Sequence, residues 1–597
     1  MNRYLQKMER SIDEKMHQVL EKVHLPQQVA IPCGGVRPAL CVTEQGEIRC
    51  YGLVDGGRAP GYLSGIDGGM SFKEYYVHNS KKQDVLGAAA YFAYNADGTF
   101  AQDDAKDDEE SEHGGRYFRF EGTPSGTVCR YSDIGMNDTD YHTAQICDTC
   151  YHVDMLPRVT KNGRIYAAGW RRVGESNETA FFFSDDGGMH FTTVVLPSLP
   201  AFPAVYPDRV QRPLPKGTCP TVIERLDGSM WMLVATSDSY LWEYVSIDGG
   251  NHWEKPRRTT LHGSYTGAYL LRMQDDRLLL FWNNTDPMPT CVGVDTSLTN
   301  RDACHCAVSV DEGKNWIGQR ELFLPACRTY ADGMLRCGNG VSDFEALEMP
   351  DGNVLVHVGT TPDTERLILF CVDYLNDAGR VEDFLDGVYY FSTQSYFRAN
   401  GSKGFNRIPG PVAVQDPQTV PKERDKREVL HIYRYADDRL LSEQMGAVQN
   451  FPAWEMGEIT LEVMLSGAPL RVSLCDHWIN PSDPCVEEKS VFSFTMDYLD
   501  TWRTPDVWAT YKIAYSLKHQ KAVVIRVDMS EEDYLPDRLL HNVLFSVHPN
   551  HRISPLPRTL SYLHLQTASK DRVDEKGSYI GRIEYRSIDS FPYMDLH

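Results

Sequence analysis

A chain of 597 residues is long enough for two to four domains, and an apolar content of 42% supports a sizeable core. The formal net charge of −23 argues against nucleic acid and against an anionic membrane as partners, while leaving room for a small anionic ligand held at a local basic site. The 15 cysteines are an odd set without framework spacing, the charged N-terminal stretch has no signal-peptide core, and no run is long enough to span a membrane. The expectation is a cytoplasmic protein with reduced thiols, although a secreted protein trimmed of its leader would read the same way.

In chain order, Leu5, Met8, Ile12, Met16, Val19 and Val23 recur at spacings of three and four, which predicts an amphipathic helix within residues 1–25. Its apolar face packs on the domain behind it or joins two copies of the chain in a homo-oligomer. After Pro26 the texture becomes β-rich. Five stretches read as apolar strand, tight turn and second apolar strand, starting at Arg37, Pro157, Pro220, Ala268 and Phe344. The wide gap after the first is filled by AAAYFAYNADGTFAQ from Ala88, a sixth unit. The acidic run DDAKDDEESEH, residues 103–113, reads as a solvated insertion between strands.

An octapeptide follows several of these hairpins: SDDGGMHF from Ser184, SIDGGNHW from Ser246 and SVDEGKNW from Ser309, with a weaker GIDGGMSF from Gly65. The aspartate at its third position accepts bonds from backbone N–H groups, and the glycine at its fifth takes a positive φ at no steric cost. The aromatic at its eighth returns to pack in the sheet. These residues hold a turn rather than perform catalysis. Six repeats of four strands predict an all-β molecule with a six-bladed β-propeller over residues 30–370. Beyond about residue 375 the octapeptide stops, and alternating strands predict a β-sandwich of jelly-roll, lectin-like type over residues 375–597. Within it DHWINPSD, Asp476 to Asp483, is polar and aromatic enough to be a loop reaching a sugar or the propeller face.

Residues just ahead of each innermost propeller strand converge near the axis. Those positions hold Arg37, then Tyr151, His152, Asp154 and Arg158, then Arg212 and Lys216, then His262 and Tyr265, and finally Asp343 and Glu345. A period of two puts Asp343 and Glu345 on one strand face. The pair Cys147 and Cys150 has metal-ligand spacing, and Cys304 and Cys306 carry further thiols. Without a second Cys-x-x-Cys, no metal and no other cofactor is expected.

The octapeptide S-x-D-x-G-x-x-W is the Asp box, and the chain resembles the sialidase-like superfamily of six-bladed propellers over roughly residues 30–370. That resemblance implies a glycan substrate and a glycoside hydrolase acting on a terminal acidic sugar, with an exo-α-sialidase as first guess. It implies an arginine cluster on the substrate carboxylate, drawn from Arg37, Arg158, and Arg212 or Lys216, and Arg37 in VRPALCV resembles the first-blade arginine of the family. It implies a tyrosine nucleophile, Tyr265, helped by Glu345 or Asp343, with Tyr151 and His262 at the substrate. The acid/base aspartate falls among Asp133, Asp138 and Asp140. Two other readings stay open: a polysaccharide lyase on a uronate glycan, with His152, His262 or Tyr265 as base, and a non-catalytic sugar-binding propeller.

Overall fold

A computed structural model describes the chain from Leu25 to Tyr593 apart from residues 33–37, 43–46, 55–58, 66, 77–85, 87–89, 94–114, 136–137, 175, 203–216, 264–265, 290–296, 299–302, 324–340, 360–364, 386, 399–404, 409, 419–426, 439, 441, 498–505 and 528–542. The helix expected within residues 1–25 lies almost wholly outside the described residues.

Six antiparallel four-stranded sheets form the blades of a propeller. Their innermost strands are Ala39–Val42, Ala90–Ala93, Arg158–Val159, Thr218–Glu224, Tyr269–Arg272 and Glu345–Glu348. In blades one to five the chain then meanders outward. In blade six the three strands Glu345–Glu348, Asn353–Val358 and Arg366–Cys371 accept their outermost partner from the start of the chain, Gln27–Ala30, with Gln27 opposite Leu369. That closure ties the first described strand to the last blade, so the ring has no loose end. Blade two departs from expectation in one detail. Its first strand pairs Ala90 with Phe118, so its partner is Gly115–Thr123 rather than the residues just after Asp97–Gly98, and the acidic run falls between the two strands.

The Asp boxes occupy the connection from the third to the fourth strand. In each full copy the serine hydroxyl accepts the N–H of the fifth residue and donates to the aspartate, as in Gly250 N to Ser246 Oγ at 2.8 Å and Ser246 Oγ to Asp248 Oδ1 at 2.8 Å. The aspartate also accepts the backbone N–H of the seventh residue, at 2.9 Å in His190, 2.9 Å in His252 and 2.8 Å in Asn315. The glycine has a second reason to be glycine. A Cβ on Gly188, Gly250 or Gly313 would lie 2.6, 2.2 or 2.7 Å from Phe118, Phe181 or Trp231, each in the preceding blade. Trp253 packs edge-on against Phe181, and Trp316 stacks on Trp231. The octapeptide is therefore both a turn and an inter-blade joint.

Two further sheets form the sandwich. One, of eight strands, runs from Val412–Gln415 and Glu428–Arg434 through Asp574–Ser587, Met456–Leu465, Ala509–Ser516 and Lys521–Arg526 to Val543–Val547, with Gly379–Glu382 beside Asp574–Ser587. The other has five strands in the order Phe391–Ser392, Gly446–Trp454, Leu560–Thr567, Leu470–Cys475 and Phe492–Met496. Alternate residues of both sheets meet in one core that includes Ile459, Leu461, Ile513, Val472, Leu474, Leu563 and Leu565.

The stretch after Cys475 docks on the propeller. Trp478 N donates to Asn284 O at 2.9 Å, and Asn284 Nδ2 donates to Asp476 O at 2.9 Å. Lys489 bridges Asp483 at 2.9 Å and Asp286 at 3.1 Å, with all three side chains buried, and donates to Pro287 O. His305 and Tyr562 share a 2.5 Å hydrogen bond across the same junction. The polar segment from Asp476 to Asp483 thus reaches the propeller face.

Candidate active site

Three of the six innermost strands begin with a residue able to do chemistry: Arg158 in blade three, Tyr269 in blade five and Glu345 in blade six. Tyr269 and Glu345 stand at matching positions, four residues before Met273 and Met349, and with Arg158 they meet in the packed interior between blades. The Tyr269 hydroxyl donates to Glu345 Oε1 at 2.7 Å, and the Arg158 guanidinium lies 4.9 Å from the centre of the Tyr269 ring. Tyr269 and Glu345 are 8% and 6% exposed, whereas Arg158 is only partly buried.

Burial pushes the Tyr269 phenol well above its ordinary range, and the Glu345 charge pushes it further, against the pull of Arg158. Tyr269 is therefore a neutral phenol at physiological pH, hydrogen-bonded to the carboxylate able to take its proton. Arg158 is also a strut. Its two terminal nitrogens donate to Val222 O at 3.1 Å in blade four and Leu270 O at 2.6 Å in blade five. The guanidinium thus spans three blades and brings a fixed positive charge to the phenol.

The other candidates are distributed differently. Arg37, Arg212, Lys216 and Tyr265 lie outside the described residues. Tyr269, four residues beyond Tyr265, is the tyrosine paired with Glu345. Its signal was present, an aromatic at the first position of an innermost strand, but it reads as core packing in AYLLRM. Asp343 does not share a strand face with Glu345: the strand starts only at Glu345, and Asp343 turns the chain with a φ of 58° while its carbonyl oxygen lies 3.2 Å from His357 Nδ1.

His152 is exposed and rests on Trp170, its ring 4.8 Å away, with its backbone paired to that residue. Asp154 accepts the Trp170 indole N–H at 2.5 Å. Tyr151 donates to Glu178 at 2.6 Å, and Arg171 donates to the same carboxylate oxygen at 2.6 Å. That second tyrosine–glutamate–arginine set involves the second and third strands of blade three rather than converging innermost strands. His262 ends the outermost strand of blade four, Arg257–His262, and faces the sandwich rather than the axis.

The aspartates expected to supply the acid/base are in the third-to-fourth-strand connection of blade two, the connection type that holds the Asp boxes elsewhere. There Asp133 pairs with Arg116 at 2.6 and 3.1 Å, and Asp138 accepts from Ser132 Oγ at 2.5 Å and from Asp140 N at 2.9 Å. These bonds hold a turn and none precedes an innermost strand.

Cys147 bonds the Thr149 carbonyl, Cys150 is exposed, and Cys304 and Cys306 are buried in blade five.

Residues 151–324, spanning blades three to five, match the family model described as a BNR repeat-like domain. No curated protein matches the sequence. Among solved structures, a protein of unknown function from Dyadobacter fermentans is 14% identical, covering 58% of this chain and 99% of its own, with a TM-score of 0.35. A Trypanosoma rangeli sialidase in complex with 2,3-difluorosialic acid is 9% identical over 93% of this chain and 91% of its own, with a TM-score of 0.33. A fructofuranosidase from Schwanniomyces occidentalis is 8% identical over 96% of this chain and 98% of its own, with a TM-score of 0.25. Likeness at that level carries no argument about activity. The three intact Asp boxes all lie within the segment that matches the BNR repeat-like domain.

Proposed function

We propose that the protein is a retaining glycoside hydrolase that removes a terminal acidic sugar, with a sialoside as the first substrate to test. The observation that carries this reading is the 2.7 Å hydrogen bond from Tyr269 to Glu345 beside the Arg158 guanidinium. A phenol attacks an anomeric carbon only if its proton leaves as the bond forms. Glu345 takes that proton, the glycosidic bond breaks with its electron pair going to the aglycone oxygen, which takes a proton from solvent as it leaves, and a glycosyl–tyrosine forms. Water then attacks the same carbon, giving one proton to solvent, the bond to tyrosine breaks, and the proton returns from Glu345 to the phenolate. The positive charge of Arg158 favours an anionic sugar at this point. In sequence, Arg37, Arg212 and Lys216 precede the innermost strands of blades one and four, which supports a cationic recognition set around the same axis.

A panel of chromogenic glycosides containing sialosides, uronides and neutral hexosides tests the reading. Release from a sialoside or another acidic glycoside, lost in Tyr269→Phe, is the expected outcome. Release of an unsaturated uronide, seen as new ultraviolet absorbance, makes the protein a lyase instead. Turnover that survives Tyr269→Phe undiminished removes the tyrosine from the mechanism.

A further inference from the structure

Away from the axis, the junction between blade four and the sandwich buries two imidazoles and one carboxylate. The rings of His262 and His477 lie face to face, with centroids 3.7 Å apart and planes 20° from parallel. Asp476 stands at their edge, with Oδ1 2.8 Å from His477 Nδ1 and Oδ2 3.4 Å from His262 Nε2. None of the three side chains is more than 13% exposed.

The remaining ring nitrogens, His262 Nδ1 and His477 Nε2, are buried with no hydrogen-bond partner. An ionised carboxylate only accepts, so the hydrogen of His477 sits on Nδ1 and its Nε2 carries a bare lone pair. A proton added at Nε2 would be a buried charged donor with no acceptor, set against a second imidazole at stacking distance. Burial pushes the His477 imidazole below its ordinary value and His262 pushes it further, while Asp476 and Asp286 pull back without restoring it. Burial works to raise the Asp476 carboxyl, but His262 and His477 outweigh it and hold it well below the usual carboxylate range.

The surrounding charges do not relieve the pair. Asp286, on the propeller side, faces Lys489 at 3.1 Å, and Lys489 also holds Asp483. In blade four the Tyr240 ring packs 4.5 Å from the His262 ring, and the Arg258 guanidinium lies 4.5 Å from the centre of the Tyr240 ring, a further positive charge. Burial keeps the Cys475 thiol neutral. His305 is occupied by the Asn284 N–H and the Tyr562 hydroxyl.

We propose that the stacked His262 and His477 rings beside Asp476 form a proton-operated latch, which holds the sandwich on blade four at neutral pH and releases it in mild acid. Undocking lets water reach both rings, so His477 takes a proton there more readily than in the docked state. The docked state therefore holds fewer protons. Its stability is complete above the ordinary imidazole value of about 6.5 and is lost progressively as pH falls below it. The latch is independent of the hydrolase reading, since none of its residues belongs to the Tyr269–Glu345 pair.

The test follows full-length protein by hydrogen exchange and mass spectrometry, one pH unit above and one below about 6.5, with rates corrected for the intrinsic effect of pH. The reporter is the Trp478 amide, bonded across the junction to the Asn284 carbonyl, and the reference is the buried strand Met230–Ala235 of blade four. Protection of the reporter should fall about tenfold at the lower pH, the effect of one linked proton, while the reference holds. His477→Gln should keep the junction protected at the higher pH and lose most of the fall. His190→Gln with His252→Gln, at exposed His–Asp pairs, should respond as wild type does. If His477→Gln fails to fold, His262→Gln, which removes the stacked neighbour, is read in the same way. Equal reporter protection at both pH values in wild type, an equal fall in the reference strand, a full response in the latch variant, or a response lost in the control variant would each overturn the proposal.

Discussion

Tyr269 and Glu345 stand 76 residues apart in sequence and meet because each opens the innermost strand of its blade. Their bond sets a clear expectation at the scale of single residues. Glu345→Gln keeps the shape and a hydrogen-bond partner for the phenol but removes the base. On the proposed reading kcat at neutral pH should fall about 10²–10⁴-fold with KM little changed, as steady-state kinetics would show. A variant that raised KM alone would mean that Glu345 binds substrate and does not assist the nucleophile. Glu345 was legible in the sequence as a carboxylate at the head of a strand. Tyr269 was not, because a tyrosine beside Leu270 and Leu271 is indistinguishable from core until its partner in blade six is seen. Asp343 misled for the opposite reason, since period two applies only where the strand has begun.

Among elements, the Asp box was the most readable piece of the chain. Its four fixed positions answer to local backbone needs, so sequence alone gave its turn chemistry. Its inter-blade role was hidden, because no local pattern says that Gly250 faces Phe181. Gly250→Ala adds a Cβ 2.2 Å from that ring at a φ of 95°, and should destabilise the protein by about 2–4 kcal/mol in urea unfolding while leaving the chemistry of folded molecules intact. The box also predicts a pH response. Burial raises the Asp186 and Asp248 carboxyls, but the N–H and ring of His190 or His252 and the hydroxyl of Ser184 or Ser246 outweigh it, leaving each at about 2. A carboxyl whose folded pKa is depressed stabilises the fold above its unfolded value near 4 and loses that contribution as pH falls through 2. Thermal midpoints should therefore decline between about pH 4 and pH 2, and Asp248→Asn should show a shallower decline there. An identical slope in variant and wild type would place the acid sensitivity elsewhere.

At the scale of the whole molecule, six blades follow from repeat counting and the sandwich from strand alternation where the repeats stop, but the ring closure and the docking follow from neither. Gln27–Ala30 completes blade six through a pairing more than 330 residues away, a distance over which no periodicity speaks. The docking depends on Lys489, whose charge is buried between Asp286 and Asp483. Burial disfavours that charge, but the two carboxylates more than compensate and hold the amine protonated far above neutrality. Lys489→Met leaves the two carboxylates without their cation and should cost about 3–5 kcal/mol, read as a lower urea midpoint, with the sandwich and propeller losing their joint transition. An unchanged midpoint would show that the junction is held by its backbone bonds alone.

The most direct measurement of the central claim is covalent trapping. A 2,3-difluorinated acidic glycosyl fluoride, sialic acid first, is incubated with the full-length protein, followed by intact mass and peptide mapping. The account predicts one glycosyl unit per chain, attached to Tyr269, absent from Tyr269→Phe and formed far more slowly in Glu345→Gln. Attachment to a different residue, or an adduct that persists in Tyr269→Phe, would contradict it.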